Sequence, residues 1–242
     1  ISFFEVSGVS RKLIKWGFFL KLIAGTGVGL IYTYYYTDRL TADTFKFFDD
    51  SQILYDTFQT NKSAFFRMVT GIGSGSADLQ VYYDRMTNWY DTFSPYNDNR
   101  TLIRLNAILR FLSFGHYYVH VVFICFLSLA GITAITKVFA RHFPDLSASV
   151  FLVFIMLPSV LFWGSGLLKD SLVFFSLGFT LYYFDRLMYS GRNLFVSAAI
   201  FVTGMFLLMI TRFHVFLLLI PAFAAWGISV RWKMKPAMVF GA

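Results

Sequence analysis

Long runs of apolar residues alternate with short polar stretches along this chain, on a length scale set by a lipid bilayer. A membrane-crossing helix needs ~20 mostly apolar residues. Runs of that kind fall at 16–36, 117–138, 147–164, 167–185, 194–211 and 213–230. The last two are continuous but for Thr211-Arg212-Phe213-His214, and Leu194 to Val230 makes 37 residues. A single straight helix of that length would reach about 55 Å, far beyond a hydrocarbon core of ~30 Å. The pattern therefore predicts two spans joined by a tight turn at Arg212.

The stretch between the first two runs has a different texture. Leu40–Phe58, Asp78–Asp91 and Leu102–Leu112 repeat apolar residues at helical spacing, with Asp or Arg on the other face, and Gly71-Ile72-Gly73-Ser74-Gly75-Ser76 interrupts them. These segments predict amphipathic helices lying at the membrane interface; the competing arrangement is a small folded domain outside the membrane. The expected fold is all-α, a polytopic transmembrane helical bundle of about six spans with interfacial helices in its first external loop. Residues 1–36 hold the amino terminus and first span, 37–116 the long loop, and 117–242 spans two to six. The chain starts at Ile1 and ends in the apolar Val239-Phe240-Gly241-Ala242, so it reads as part of a longer polypeptide truncated at its C-terminus. No cleavable signal peptide is expected, because the first apolar stretch is long enough to span and lacks a small-residue cleavage site.

Composition supports the membrane reading. Of 242 residues, 57% are hydrophobic, 21% aromatic and 14% charged, and the mean hydropathy is +0.61. Soluble domains carry roughly 25% charged residues. A soluble globule, a disordered chain and a disulfide scaffold are all excluded, the last because Cys125 is the single cysteine. Cys125 has no base beside it in sequence and reads as packing. Gly25-Thr26-Gly27-Val28-Gly29 lacks a following Lys and reads as a helix-packing stripe rather than a phosphate loop.

The net charge of +8 invites a nucleic-acid reading, which the placement of the charge removes. Arg11, Lys12 and Lys15 precede the first span; Lys137 and Arg141 lie between spans two and three; Arg186 and Arg192 between four and five; Arg231, Lys233 and Lys235 after six. Every second connection is basic, which predicts a cytoplasmic amino terminus. The long loop carries nine of the 13 acidic residues, all Asp, against eight Lys and Arg. No basic face is left to follow a phosphate backbone.

Two short external turns carry the candidate chemistry. One runs from Pro158 to Ser171 and places Lys169 and Asp170 at the start of a span, just after Gly164-Ser165-Gly166. A helix amino terminus with unsatisfied N–H groups beside a lysine suits an anion. The other turn places Arg212 and His214 at the same depth. The bland alternatives are that Lys169 pairs with Asp170 or snorkels, and that Arg212 is an ordinary turn residue. His116 and His120 read as interfacial and His142 as cytoplasmic. The four His lack zinc-ligand spacing, so no metal site is expected from them.

Taken together, these features resemble the GT-C class of integral-membrane glycosyltransferases over roughly residues 14–230. The stretch Ala42-Asp43-Thr44-Phe45-Lys46-Phe47-Phe48-Asp49-Asp50 is similar to the segment in which those enzymes place a catalytic carboxylate, shortly after the first span. Pro158 and Phe162-Trp163-Gly164-Ser165-Gly166-Leu167-Leu168-Lys169-Asp170 resemble a Pro…Phe-Trp-Ser-Gly-x-x-Lys-Glu/Asp stretch of bacterial members. Thr211-Arg212-Phe213-His214 with Pro221 resembles their later Arg-x-His segment. The resemblance implies an inverting transferase of the cell envelope. It would move a sugar from a polyprenyl-phosphate donor to a glycan, lipid or protein acceptor on the extracytoplasmic face of the bacterial inner membrane. Asp43, Asp49 and Asp50 all compete for the catalytic place, with Asp43 the first choice and Asp49 or Asp50 an alternative base or a ligand to a divalent cation. Lys169, Arg212 and His214 would hold the donor phosphate. Six spans are fewer than the class usually shows.

Two other classes compete. A lipid-linked sugar transporter or polymerase stays close in substrate, but a transporter expects polar residues deep in several spans. A non-catalytic membrane subunit of an envelope or secretion complex would use the aromatic helices of the loop to dock protein partners.

Overall fold

The computed structural model describes residues 2–36, 38–87, 98–191 and 193–234. Among them there are 11 α-helices and no strand, so the chain is an all-α helical bundle. The helices are α1 (Arg11–Tyr34), α2 (Asp43–Thr60), α3 (Lys62–Thr70), α4 (Ala77–Tyr83), α5 (Asp98–Ser113), α6 (Tyr117–His142), α7 (Ser147–Met156), α8 (Pro158–Trp163), α9 (Lys169–Tyr189), α10 (Leu194–Thr211) and α11 (Phe213–Trp232). The expected residues Trp89, Tyr90, Asp91, Arg192 and Lys235 lie outside the described residues.

Four helices are long and apolar enough to cross a membrane: α1, α6, α10 and α11. This makes the chain an integral membrane protein and corrects the expected six spans to about four. The 147–164 run fails because Pro158 cannot continue a helix through its own N–H and pushes Leu157 into an extended conformation (φ −63°, ψ 116°). The run becomes a 10-residue and a 6-residue helix. The 167–185 run does form a 21-residue helix, α9. Its Ser171, Ser176, Thr180 and Asp185 are all buried, however. These polar positions dilute its hydropathy and turn it toward protein rather than lipid. The turn at Arg212 stands as expected, with α10 ending at Thr211 and α11 starting at Phe213.

The centre of the bundle is the crossing of α6 and α9. In its most apolar window α6 is 72% buried, against 17% for α11 and 22% for α10, so those two form the lipid-facing flank. The crossing is close because both helices present glycine: an added Cβ at Gly131 would lie 2.0 Å from the Phe174 carbonyl oxygen, and one at Gly178 would lie 2.1 Å from that of Gly131. The segment Gly164–Leu168 folds back against the middle of α1. There the buried Lys21 ammonium donates to the Gly164 carbonyl at 2.7 Å, and an added Cβ at Gly25 would meet the Ser165 oxygen at 2.4 Å. Cys125 packs at the same point, its thiol directed at the carbonyls of Lys21 and Ser165.

Helices α2 to α5 bury their apolar faces against one another. Phe47, Phe48, Leu54, Met68, Leu79, Tyr83, Leu102 and Ile103 make one core that continues into the bundle through Ile124 of α6 and Leu167. The helices expected at the interface thus pack into a compact helical unit, and α3 is an element that the hydrophobic pattern did not single out. Asn61 caps α3 by accepting from the Ala64 N–H at 3.0 Å. Gly71, with φ 81°, ends it in the left-handed conformation that glycine adopts freely.

One buried arginine ties α5 to α2. Arg110 donates through Nε to Ser51 at 2.8 Å and through its other nitrogens to Gln52 and the Phe48 carbonyl, with its guanidinium over the Phe48 ring. Arg110→Met keeps the volume and strands those acceptors. It is expected to lower stability by about 2–3 kcal/mol, read as a fall in the thermal midpoint of the detergent-solubilised protein; an unchanged midpoint would contradict this role. Nearby, His120 joins Asn106 (2.7 Å) and Ser113 (2.6 Å) in a buried network. His116, by contrast, is exposed.

Candidate functional site

The site is assembled from helix ends. Asp43 is the first residue of α2, where a carboxylate meets the positive end of the helix dipole. Its side chain is 63% exposed, and its ion-pair partner, Lys46, is 3.7 Å away. One residue on, the Thr44 hydroxyl shares a 2.6 Å hydrogen bond with Tyr117 at the start of α6, which fixes this end of α2 against the bundle.

The other two candidate carboxylates are committed elsewhere. Asp49 accepts a two-pronged pair of hydrogen bonds from Arg39 at 2.7 and 2.6 Å, the geometry in which a guanidinium fits a carboxylate best. Asp50 is 2% exposed and accepts the Thr87 backbone N–H at 2.8 Å. Three neighbouring acids thus have three settings: one open, one clamped, one buried.

Lys169 opens α9 and reaches α5, pairing with Asp98 at 2.8 Å and Asn99 at 3.0 Å. Its ammonium also lies 5.9 Å over the Phe47 ring of α2. Asp43, Phe47 and Asp50 are spaced four and three residues apart and so share one helix face, with neighbouring Cβ atoms about 5–6 Å apart. Lys169 thus meets α2 at Phe47, one turn after Asp43 in that helix. Asp170 points the other way, toward Arg212 at the α10–α11 turn, at 3.4 Å. Lys169 and Asp170 do not pair with each other, and Arg212 is more than a turn residue. A hydrogen bond from the Thr101 hydroxyl to the Ile210 carbonyl (2.9 Å) closes the ring between α5 and α10.

The structure thus brings Asp43, Asp49, Asp50, Lys169 and Arg212 to one end of the bundle. His214 is exposed in the first turn of α11, two residues beyond Arg212. Beside Asp170 opens a cavity of about 400 Å³ lined by Ser159, Val160, Trp163 and Phe174. Asp170 is the polar carboxylate in it, and sequence reasoning had given it no role of its own.

Sequence reasoning also missed Asp98, Asn99, Arg39 and Lys21. Asp98 had a usable signal, an acid opening an amphipathic run, and so had Lys21, a lone cation inside an apolar one. Nothing local marks Arg39 as the partner of Asp49. Among the described residues no three His, Cys, Asp or Glu side chains gather into a metal-ligand set.

No family model, curated protein or solved structure matches the chain.

Proposed function

We propose that the chain is a membrane glycosyltransferase of the GT-C type, moving a sugar from a polyprenyl-phosphate donor to an acceptor hydroxyl on the extracytoplasmic side of a bacterial inner membrane. The observation that supports this reading is that the exposed Asp43 carboxylate opens α2 and the Lys169 ammonium lies over the ring of Phe47, one turn later on the same helix. A displacement at an anomeric carbon needs a base for the acceptor hydroxyl and positive charge at the leaving phosphate.

In this reading Asp43 takes the proton of the acceptor hydroxyl as its oxygen forms the new bond to the anomeric carbon. The bond from that carbon to the donor phosphate breaks, and its electron pair leaves on the phosphate oxygen with inversion at carbon. Lys169 and Arg212 meet the charge growing on the leaving phosphate, where preorganised cations act most strongly. Their present partners are Asp98 and Asp170. Basic residues at Arg11, Lys12 and Lys15, before α1, set the amino terminus on the cytoplasmic side.

The test is transfer of a radiolabelled sugar from polyprenyl phosphate by membranes that contain the chain. Lys169→Ala is expected to weaken donor binding about tenfold or more, the loss of one charge-assisted contact, measured as a rise in donor KM. Unchanged donor affinity would remove the phosphate role. Absence of transfer with every sugar lipid tried, together with stoichiometric co-purifying proteins, would favour the non-catalytic subunit instead.

A further inference from the structure

The short arm before α1 folds back onto the bundle. Phe3 stacks on Phe179 of α9 at 5.3 Å, and Phe4 packs against Phe126 of α6 at 5.5 Å. Val6 and Val9 are buried, and Ser10 opens α1 by accepting the Leu13 N–H at 3.2 Å. Between this arm, α1 and α6 runs a groove of about 470 Å³. Its charged lining is Glu5, Arg11 and Lys15; its apolar lining includes Ile14, Phe18, Phe126 and Leu129. A second hollow, of about 320 Å³, is lined by Lys12, Lys15, Trp16 and Phe19 of α1. Lys15 borders both.

Lys12, Lys15, Trp16, Phe19 and Ile23 recur at steps of three and four residues, so they share one face of α1. Trp16, Phe19 and Ile23 are each more than half exposed, and on a helix that crosses a membrane such a face meets lipid. From Lys12 to Phe19 the helix advances about 10 Å along its axis, and from Arg11 to Phe18 by the same amount. Both furrows thus lead from charge at the helix end to apolar and aromatic side chains within the span. Tryptophan settles at the level of lipid headgroups, where Trp16 stands directly after Lys15. The charges at this end do not cancel. Arg11 is paired with Glu5. Among the described residues, Lys12 and Lys15 pair with no acidic side chain. Two positive charges therefore stand where two apolar furrows begin.

We propose that this end of α1 seats an anionic glycerophospholipid of the surrounding membrane. Its phosphate lies against Lys12 and Lys15, one acyl chain runs along Trp16, Phe19 and Ile23, and the other enters the groove beside Phe18, Phe126 and Leu129. Charge complementarity selects an anionic head, since a zwitterionic one brings no net charge to the two ammonium groups. The meeting of two furrows at Lys15 selects a lipid with two chains. The inference does not depend on the sugar-transfer reading, because none of Asp43, Lys169 or Arg212 lines either furrow.

Native mass spectrometry of the full chain, released from nanodiscs of equal phosphatidylglycerol and phosphatidylcholine, tests it. Wild type is expected to retain one phosphatidylglycerol in preference to phosphatidylcholine. K12Q/K15Q is expected to lose that retention about thirtyfold, the effect of two lysines at an anionic lipid. Because those lysines also guide insertion of α1, Trp16→Ala supplies a second variant. It removes an exposed wall of one furrow, keeps both charges, and is expected to weaken retention at least about threefold. Equal retention of the two phospholipids, or unchanged retention in both variants, would overturn the proposal. Displacement of the lipid by inorganic phosphate would make the site one for free anions. Preferential retention of added polyprenyl phosphate would make it one for a single-chained carrier, and equal retention of lysophosphatidylglycerol would remove the two-chain seat; each of these outcomes overturns the assignment.

Discussion

Asp43→Asn is expected to cut sugar transfer by about 10²–10⁴-fold, the usual contribution of a positioned general base, while the protein remains folded. The separation of these two effects follows from the setting of the residue. Asp43 is exposed, and its structural contributions are a charge at a helix amino terminus, a term of about 0.3–1 kcal/mol, and a surface ion pair with Lys46 of about the same size or less. Asparagine keeps the shape and cannot accept the proton. Asp50→Asn makes the contrast. That carboxylate is buried against the Thr87 N–H, so the substitution should act on the thermal midpoint first and on turnover through it. Measuring transfer rate and midpoint side by side for both variants separates the roles. Full turnover in Asp43→Asn, with loss in Asp49→Asn or Asp50→Asn at an unchanged midpoint, would move the base to that residue.

Gly131→Leu is expected to be the most damaging single change in the bundle, costing more than about 3 kcal/mol, the upper range for overpacking. The clash is with the Phe174 backbone rather than with a side chain that could turn aside, since a Cβ would lie 2.0 Å from the carbonyl oxygen. Gly178 is tight against Gly131 from the other helix, so α6 and α9 would have to separate along their whole contact. Gly27→Ala supplies the control: nothing lies within 4 Å of a Cβ there, and alanine gains up to about 1 kcal/mol of helix propensity over glycine. Thermal midpoints of the two variants should fall on opposite sides of wild type or, for Gly27→Ala, on it. A stable Gly131→Leu would mean that the crossing is not the centre of the fold.

The spans that sequence reasoning recovers are those whose surroundings are lipid. Helices α1, α10 and α11 face outward, so hydropathy alone marks them, and the polar Thr211-Arg212-Phe213-His214 marks the turn between the last two. Reasoning by apolar count fails where the surroundings are protein. Helix α9 is interior and can carry Ser176, Thr180 and Asp185, while the apolar run before it is cut in two by Pro158 despite its hydropathy. The candidate site shows the same division. Asp43, Lys169 and Arg212 announce themselves as charges at the edges of apolar runs. Their partners do not, because Lys169 meets Asn99 across 70 residues of sequence and Arg212 meets Asp170 across 42. No periodicity carries a pairing of that range. The distinction among Asp43, Asp49 and Asp50 was equally hidden, resting on Arg39 and on the backbone of Thr87.

The contact between Lys21 and the Gly164 carbonyl has a consequence for biogenesis. A lysine near the middle of a lone helix resists entry into hydrocarbon by about 2.5–3.5 kcal/mol, and here its hydrogen-bond acceptor is synthesised 143 residues later. Helix α1 therefore enters the bilayer incomplete. Until ribosomes have delivered the Gly164 segment, insertion machinery or water must shelter that ammonium, so α1 settles well after it is made.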